Sequence, residues 1–223
     1  MEADSRLDVI HGDLKPANVL IFRHDEEGFV AKVADFGYST LVVRPDRPIY
    51  VPKTAPWYAP EHHHRGFLLQ DAKKLDFFSL GLLFLWLLFE PKIRVQTKDP
   101  EIESGSSAKF TVEMRMIQWL EHQPPGQDLI TCVTQMLHEV SGILIQQRDD
   151  LIQFFNKTLA MDPADRALDI RGLLPLIGDQ KLPYALSLHT TFPSLAMLTV
   201  ELYEGIVSSY PPKTTRLKST TML

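Results

Sequence analysis

Hydrophobic positions change their spacing near residue 70. Before it they come in short, partly β-branched runs. Val19 to Phe22 and Phe29 to Val33 flank Arg23 to Gly28, whose acidic residues and glycine are a turn signal, and the pattern predicts a small hairpin. Five prolines, at 45, 48, 52, 56 and 60, interrupt the stretch from Leu41 to Pro60, so an extended loop is expected there. Beyond residue 70 the apolar positions take helical spacing over Leu75 to Phe89, Val112 to His122, Leu129 to Ile145, Leu151 to Met161 and Ile170 to Ile177. The densest run, Phe77 to Phe89 with Ser79 and Gly81 inside, falls short of the roughly 20 residues that cross a bilayer, and it predicts a buried helix. Lys92 to Lys109 is polar and predicts a mobile excursion. The Ser, Thr, Pro and Lys content from Ser208 onward predicts a disordered tail.

Composition narrows this picture. With 223 residues, 44% hydrophobic and 23% charged, the chain is long enough for one sizeable core and ordinary enough to exclude a fibrous or wholly disordered protein. A net charge of −5 without long runs of one sign gives no footprint for nucleic acid or a polybasic membrane surface. Cys132 is the only cysteine, which excludes an internal disulfide and a zinc-type Cys/His cluster. The segment from Met1 to Val9 carries Glu2, Asp4 and Asp8 and lacks the apolar core of a secretory signal, so an intracellular setting, cytoplasmic or nuclear, is expected.

Candidate chemistry lies at the two ends of the hairpin. The run His11, Gly12, Asp13, Leu14, Lys15, Pro16, Ala17, Asn18 precedes its first strand, and Asp35, Phe36, Gly37 follows its second. A hairpin brings Asn18 and Asp35 together, an amide and a carboxylate of the oxygen-donor type that suits Mg²⁺. Both runs resemble the catalytic and metal loops of a eukaryotic-type serine/threonine protein kinase. Three later pieces, in the same order as in that family, strengthen the resemblance. They are Thr54 to Glu61 with its Ala-Pro-Glu ending, Asp76 to Gly81, and Asp162 to Arg166. The resemblance runs from about residue 9 to 177.

It implies a mainly α (α+β) fold, the kinase C-terminal lobe, helical with a small β-hairpin. It divides the chain into a lobe over 1–177, a helical extension over 178–207 and a tail over 208–223. It implies ATP and Mg²⁺ as cofactors and a protein carrying Ser or Thr as substrate. In the family's roles Asp13 orients the substrate hydroxyl and Lys15 steadies the transferred phosphate. Asn18 and Asp35 hold the metal and, with Lys15, the nucleotide. Thr54, Trp57 and Tyr58 form a shelf for the peptide. His11, Phe36, Gly37, Glu61, Asp76 and Arg166 are structural. Glu61 is expected to meet Arg166, and Asp76 to accept backbone N–H groups of the catalytic loop.

Bland readings stand beside these. Asp13 alone fits a turn or cap. His62, His63 and His64 are consecutive and cannot all face one ion, while Met114 and Met116 fit an ordinary core. Ser39, Thr40, Tyr50 and Thr54 are loop hydroxyls open to phosphorylation.

Two departures from the family matter. Gly12 stands where many kinases carry an arginine that grips a phosphorylated loop, so phosphorylation is not expected to switch this segment in the usual way. His11 lies so near Met1 that neither a Gly-rich loop nor a strand lysine precedes it, and the N-terminal lobe is expected to be missing or supplied by a partner chain. A non-catalytic, pseudokinase-like scaffold is therefore a rival reading. Another is an aminoglycoside- or choline-type phosphotransferase, which also uses His-Gly-Asp but lacks the Thr54 to Glu61 segment.

Overall fold

The computed structural model describes residues 9–24, 28–41, 46–63, 65–97, 111–167, 173 and 176. Strand β1 (Val9–Ile10) enters the loop that carries His11 and Asp13. After a 3₁₀ turn over Pro16–Asn18 come β2 (Val19–His24) and β3 (Gly28–Val33), antiparallel from Val19 opposite Val33 to His24 opposite Gly28. The expected hairpin is present, two residues longer at the end of its first strand. Strand β4 (Thr40–Leu41) returns to pair with β1, so the ends of residues 9–41 are tied together. No helix occurs among the described residues of the proline-rich stretch, where Ile49 forms a single bridge with Phe67.

Four α-helices make the body among the described residues. Helix α1 (Leu69–Gln96) is apolar around most of its circumference and is buried accordingly, from Ala72 through Ile93. It is longer at both ends than the apolar run predicts. Its first turn carries Gln70 and Asp71 outward, and an acidic residue there suits the helix dipole. At the other end it continues through Pro91, so Lys92 to Gln96, expected in a polar excursion, are helical. Trp119 Nε1 donates to Gln96 Oε1 at 2.8 Å and anchors that end, while the excursion's residues 98–109 lie outside the described residues.

Helix α2 (Val112–Glu121) starts at Thr111, whose hydroxyl caps the Met114 N–H, and α3 (Leu129–His138) at Asp128, which caps Thr131 at 2.6 Å. The helix expected over Leu129 to Ile145 ends earlier, at His138 with Glu139 as its C-cap, and residues 139–144, with Gly142 at φ +79°, turn the chain into α4 (Ile145–Leu159). That start lies six residues ahead of the expected Leu151. Helix α4 crosses α1 at Gly81, where an added Cβ would lie 2.6 Å from both Leu159 Cδ2 and Thr158 Oγ1. Only glycine lets the two helices approach so closely. Phe84 and Phe154 meet beside this crossing, ring centroids 4.9 Å apart, in one core that extends from the helices to Ile10, Ala31 and Val33 of the strands. Of the helix expected over 170–177 only Leu173, buried, and Leu176 are described. The extension over 178–207 and the tail over 208–223 lie outside the described residues.

Candidate active site

The loop after β1 is held by groups from three directions. From α1, the Asp76 carboxylate accepts the His11 N–H at 2.7 Å and the Gly12 N–H at 2.9 Å. Burial pushes this carboxyl above its ordinary value, and the two N–H bonds and His11 pull against that rise. From the end of β3, the Ala34 carbonyl lies 3.1 Å from His11 Nε2. His11 Nδ1 accepts the Asp13 N–H at 3.2 Å, so Nε2 carries the proton and donates it to Ala34. From the far side, Ser39 Oγ donates to the His11 carbonyl at 3.1 Å. His11 is buried against the edge of Phe36 at 5.3 Å and is wholly engaged in holding its neighbours.

Gly12 has φ +81°, and a Cβ there would meet Val51 Cγ1 at 3.1 Å and the Tyr38 carbonyl at 3.3 Å. The backbone and the space both favour glycine. Any larger side chain at this position would have to displace the loop that carries Val51.

These restraints fix Asp13, whose side chain is only 3% exposed. Its Oδ2 receives Lys15 Nζ at 2.6 Å and Asn18 Nδ2 at 3.3 Å, and Asn18 also caps the Asp13 carbonyl at 2.8 Å. Its Oδ1 is buried and meets no hydrogen-bond partner among the described residues. Asn18 in turn is set by the hairpin, because its own carbonyl accepts the Ala34 N–H at 2.8 Å just outside the Val19 and Val33 pair. Asp35 follows immediately, exposed and at φ 60°, with the Gly37 N–H 3.3 Å from its Oδ1. Asn18 and Asp35 thus flank one hairpin base.

The donor set fits Mg²⁺. Asn18 spends its amide N–H on Asp13, which leaves its carbonyl oxygen, and Asp35 keeps one carboxylate oxygen clear of Gly37. One amide and one carboxylate are too few for a protein cage, and no cluster of three His, Cys, Asp or Glu occurs among the described residues. Mg²⁺ ordinarily completes such a pair with waters and phosphate oxygens.

Residues 54–61 pass over this loop. Trp57 N–H closes a turn on the Thr54 carbonyl at 2.8 Å, and Ser79 Oγ of α1 donates to the Trp57 carbonyl at 2.6 Å. Trp57 is 2% exposed and belongs to the core, which leaves Thr54 and Tyr58 as the solvent-facing part of the expected shelf. Lys53 sits 4.5 Å over the Tyr58 ring. At the end of the segment Glu61 takes two bonds from Arg166, at 2.5 and 2.9 Å. The same guanidinium donates from Nε to the Ala160 carbonyl at 2.7 Å and stacks 4.7 Å over Phe78. Ala34, Ser39 and Val51 belong to this scaffold without a motif of their own, and Ser79 belongs to it from within the Asp76 to Gly81 piece. Ser79 also leaves a mark in the sequence as a hydroxyl inside an apolar helix.

The protein kinase domain family matches residues 5–170, and the chain belongs to that family. The leucine-rich repeat receptor-like protein kinase TDR of Arabidopsis thaliana is 31% identical over 174 residues, 78% of this chain and 15% of that protein. Calcium-dependent protein kinase 4 of Plasmodium falciparum is 26% identical over 188 residues, 81% of this chain and 34% of its own length. The serine/threonine-protein kinase DCLK1 of Rattus norvegicus is 32% identical over 127 residues, 56% of this chain and 28% of that protein. The chain thus spans about a third or less of these curated relatives. No helix among the described residues is long and apolar enough to cross a membrane.

Proposed function

We propose that residues 9–61, with Asp76 and Arg166 behind them, form the substrate- and metal-facing side of a serine/threonine protein kinase site. The observation that carries the reading is the sorting of the Asp13 oxygens. Oδ2 lies on the side of Lys15, the one half-open cation of the loop, while Oδ1 points inward. On this reading Oδ2 accepts the proton of a Ser or Thr hydroxyl, and Lys15 moves from Asp13 to the phosphoryl oxygens as they arrive. Asn18 and Asp35 hold Mg²⁺, which when bound neutralises phosphate charge. Lys15 within Asp-Leu-Lys-Pro-Ala-Asn supports Ser/Thr over Tyr, by resemblance. Thr54 and Tyr58 would seat the peptide, and that segment is what favours a protein over a small alcohol as acceptor.

Leu20, Ile21 and Phe22 of β2 are each close to half exposed. They support a nucleotide site whose opposite wall comes from outside the described residues, within a longer polypeptide or from a partner chain. The test is Mg-ATP thermal shift and phosphate transfer, on the 223-residue chain and on the longest natural polypeptide that contains it. A raised Tm with labelled Ser or Thr on a protein acceptor is expected, and both are lost without Mg²⁺. Phosphate appearing on an aminoglycoside or choline instead would move the chain to that chemistry. No binding in either form would leave an interaction role.

A further inference from the structure

Residues 51–62 are tied end to end by one histidine. His62 Nε2 lies 3.1 Å from the Val51 carbonyl, which can only accept, so Nε2 carries the proton and the ring donates. Prolines at 52, 56 and 60 remove three backbone donors from this stretch, and its own backbone closes two short turns, Trp57 to Thr54 and His62 to Ala59. A side-chain bond across the whole segment therefore matters. Beneath it Ile49 and Phe67 exchange two backbone bonds, at 2.8 and 2.9 Å, and Gly66 at φ +79° permits the approach, since a Cβ there would lie 2.9 Å from Pro48 Cβ.

The His62 ring stands between this base and the expected peptide shelf. It meets the Tyr58 ring edge-on with centroids 6.0 Å apart and leans on buried Phe67 at 5.7 Å. With Asp13, Thr54 and Tyr58 it lines one pocket between the loop over 12–14 and this segment. Its neighbour His63 is exposed, stacks on Phe67 at 4.3 Å and accepts the Arg65 N–H. The consecutive histidines thus differ in what they hold.

We propose that His62 is a positioning residue for the acceptor peptide, because its bond to Val51 keeps residues 51–62 in the shape that presents Thr54 and Tyr58 before the peptide arrives. The role rests on the kinase reading; the bond does not. Without the bond the segment samples other arrangements, and a peptide that binds one of them has its apparent affinity reduced by the fraction that is competent. Once bound, the peptide restores the arrangement, so the rate at saturation is spared. The loss of one hydrogen bond shifts such an equilibrium about five- to ten-fold.

Two variants separate the bond from the ring. His62→Leu keeps bulk against Tyr58 and Phe67 without a donor, and His62→Phe replaces it should that variant not fold; His62→Gln keeps an N–H at similar reach. In phosphate transfer by the longest natural polypeptide that contains this chain, the donorless variant is expected to raise the peptide KM about five- to ten-fold with kcat and the ATP KM unchanged, and His62→Gln to recover most of it. An unchanged peptide KM, a matching fall in kcat, or a glutamine variant no better than the donorless one overturns the role.

The bond is read separately, on the wild-type 223-residue chain with ¹³C- and ¹⁵N-labelled histidines, the His62 ring being assigned through its own Cβ. An imidazole N–H exchanges with water too fast to be seen unless it is held, so a visible proton on His62 Nε2 is expected at a pH above the ring's titration. Its absence, or a proton on Nδ1 instead, overturns the tie. If the wild type transfers no phosphate to any peptide, the kinase reading and the positioning role fail together, and the ring proton still decides whether residues 51 and 62 are joined.

Discussion

The loop region over residues 9–63 and the helical body over 69–159 are held together by different physics. The body is close-packed apolar surface, with Phe84, Phe154 and Phe155 at 1% exposure or less and one glycine set where two helices cross. The loop region adds fewer buried apolar side chains to that core, Ile10, Leu14, Val33 and Trp57 among them, and needs more than packing to set its shape. Single directional bonds fix it, each from a side chain to a distant backbone group: Asp76 to His11 and Gly12, His11 to Ala34, Ser39 to His11, Ser79 to Trp57. Apolar packing stabilises without aiming anything, whereas hydrogen bonds aim side chains at modest net stability. The division places chemistry where aim matters and leaves stability to the helices.

The sharpest way to break that division is a change that abolishes one property and spares the other. Asp13→Asn keeps the size of the side chain, and its expected effect is a fall in phosphate transfer of about 10²–10⁴, the usual worth of a positioned acid or base. The urea midpoint should move little, and a midpoint that collapses along with activity would show the two regions to be one cooperative unit. Phe154→Ala is the converse. It removes a fully buried ring and should cost about 3–5 kcal/mol of unfolding free energy. Below its lowered Tm the indole resonance of Trp57 should keep its wild-type position. Smaller again is Gly81→Ala, whose Cβ would press on Leu159 and Thr158. A loss of about 1–3 kcal/mol is expected from overpacking, and a gain would mean that α1 and α4 separate more freely than their contact implies.

Legibility in the sequence follows the same line. His11 to Asn18 and Asp35 to Gly37 stand close along the chain, and one hairpin relates them, so local pattern was enough to place Asn18 and Asp35 at a common base. The middle of α1 was equally plain from its apolar run. Its ends were not, because Gln70 and Asp71 look like loop and Pro91 looks like a stop, yet packing and the anchor at Gln96 carry the helix through. The end of α3 at His138 was hidden because apolar positions keep helical spacing through the turn that holds Gly142, and one glycine inside such a pattern is usually tolerated. Trp57 resembles an exposed shelf residue by position and is buried in fact. Its ring reaches the core, with its carbonyl on Ser79 Oγ, only through the tertiary path of residues 51–62, which no spacing rule encodes.

Asp76 is the joint between the two regions, and it offers the finest test. Asp76→Asn leaves one amide oxygen for two N–H donors, so either His11 or Gly12 loses its acceptor, at about 1–3 kcal/mol. The pH dependence separates this from ordinary packing loss. Burial holds the folded carboxyl above its ordinary 3.8, so just above that pH the unfolded chain has released a proton that the folded chain still keeps. The folded state then binds more protons, and stability contributed at position 76 falls as pH rises from 3.8 through the folded value. The asparagine variant has no such titration. The stability advantage of wild type over Asp76→Asn should therefore be greatest at the acid end, decline across that window and level off above it. An advantage that grows with pH would mean that the two N–H bonds outweigh burial, and that the loop grips the helix through an ionised carboxylate.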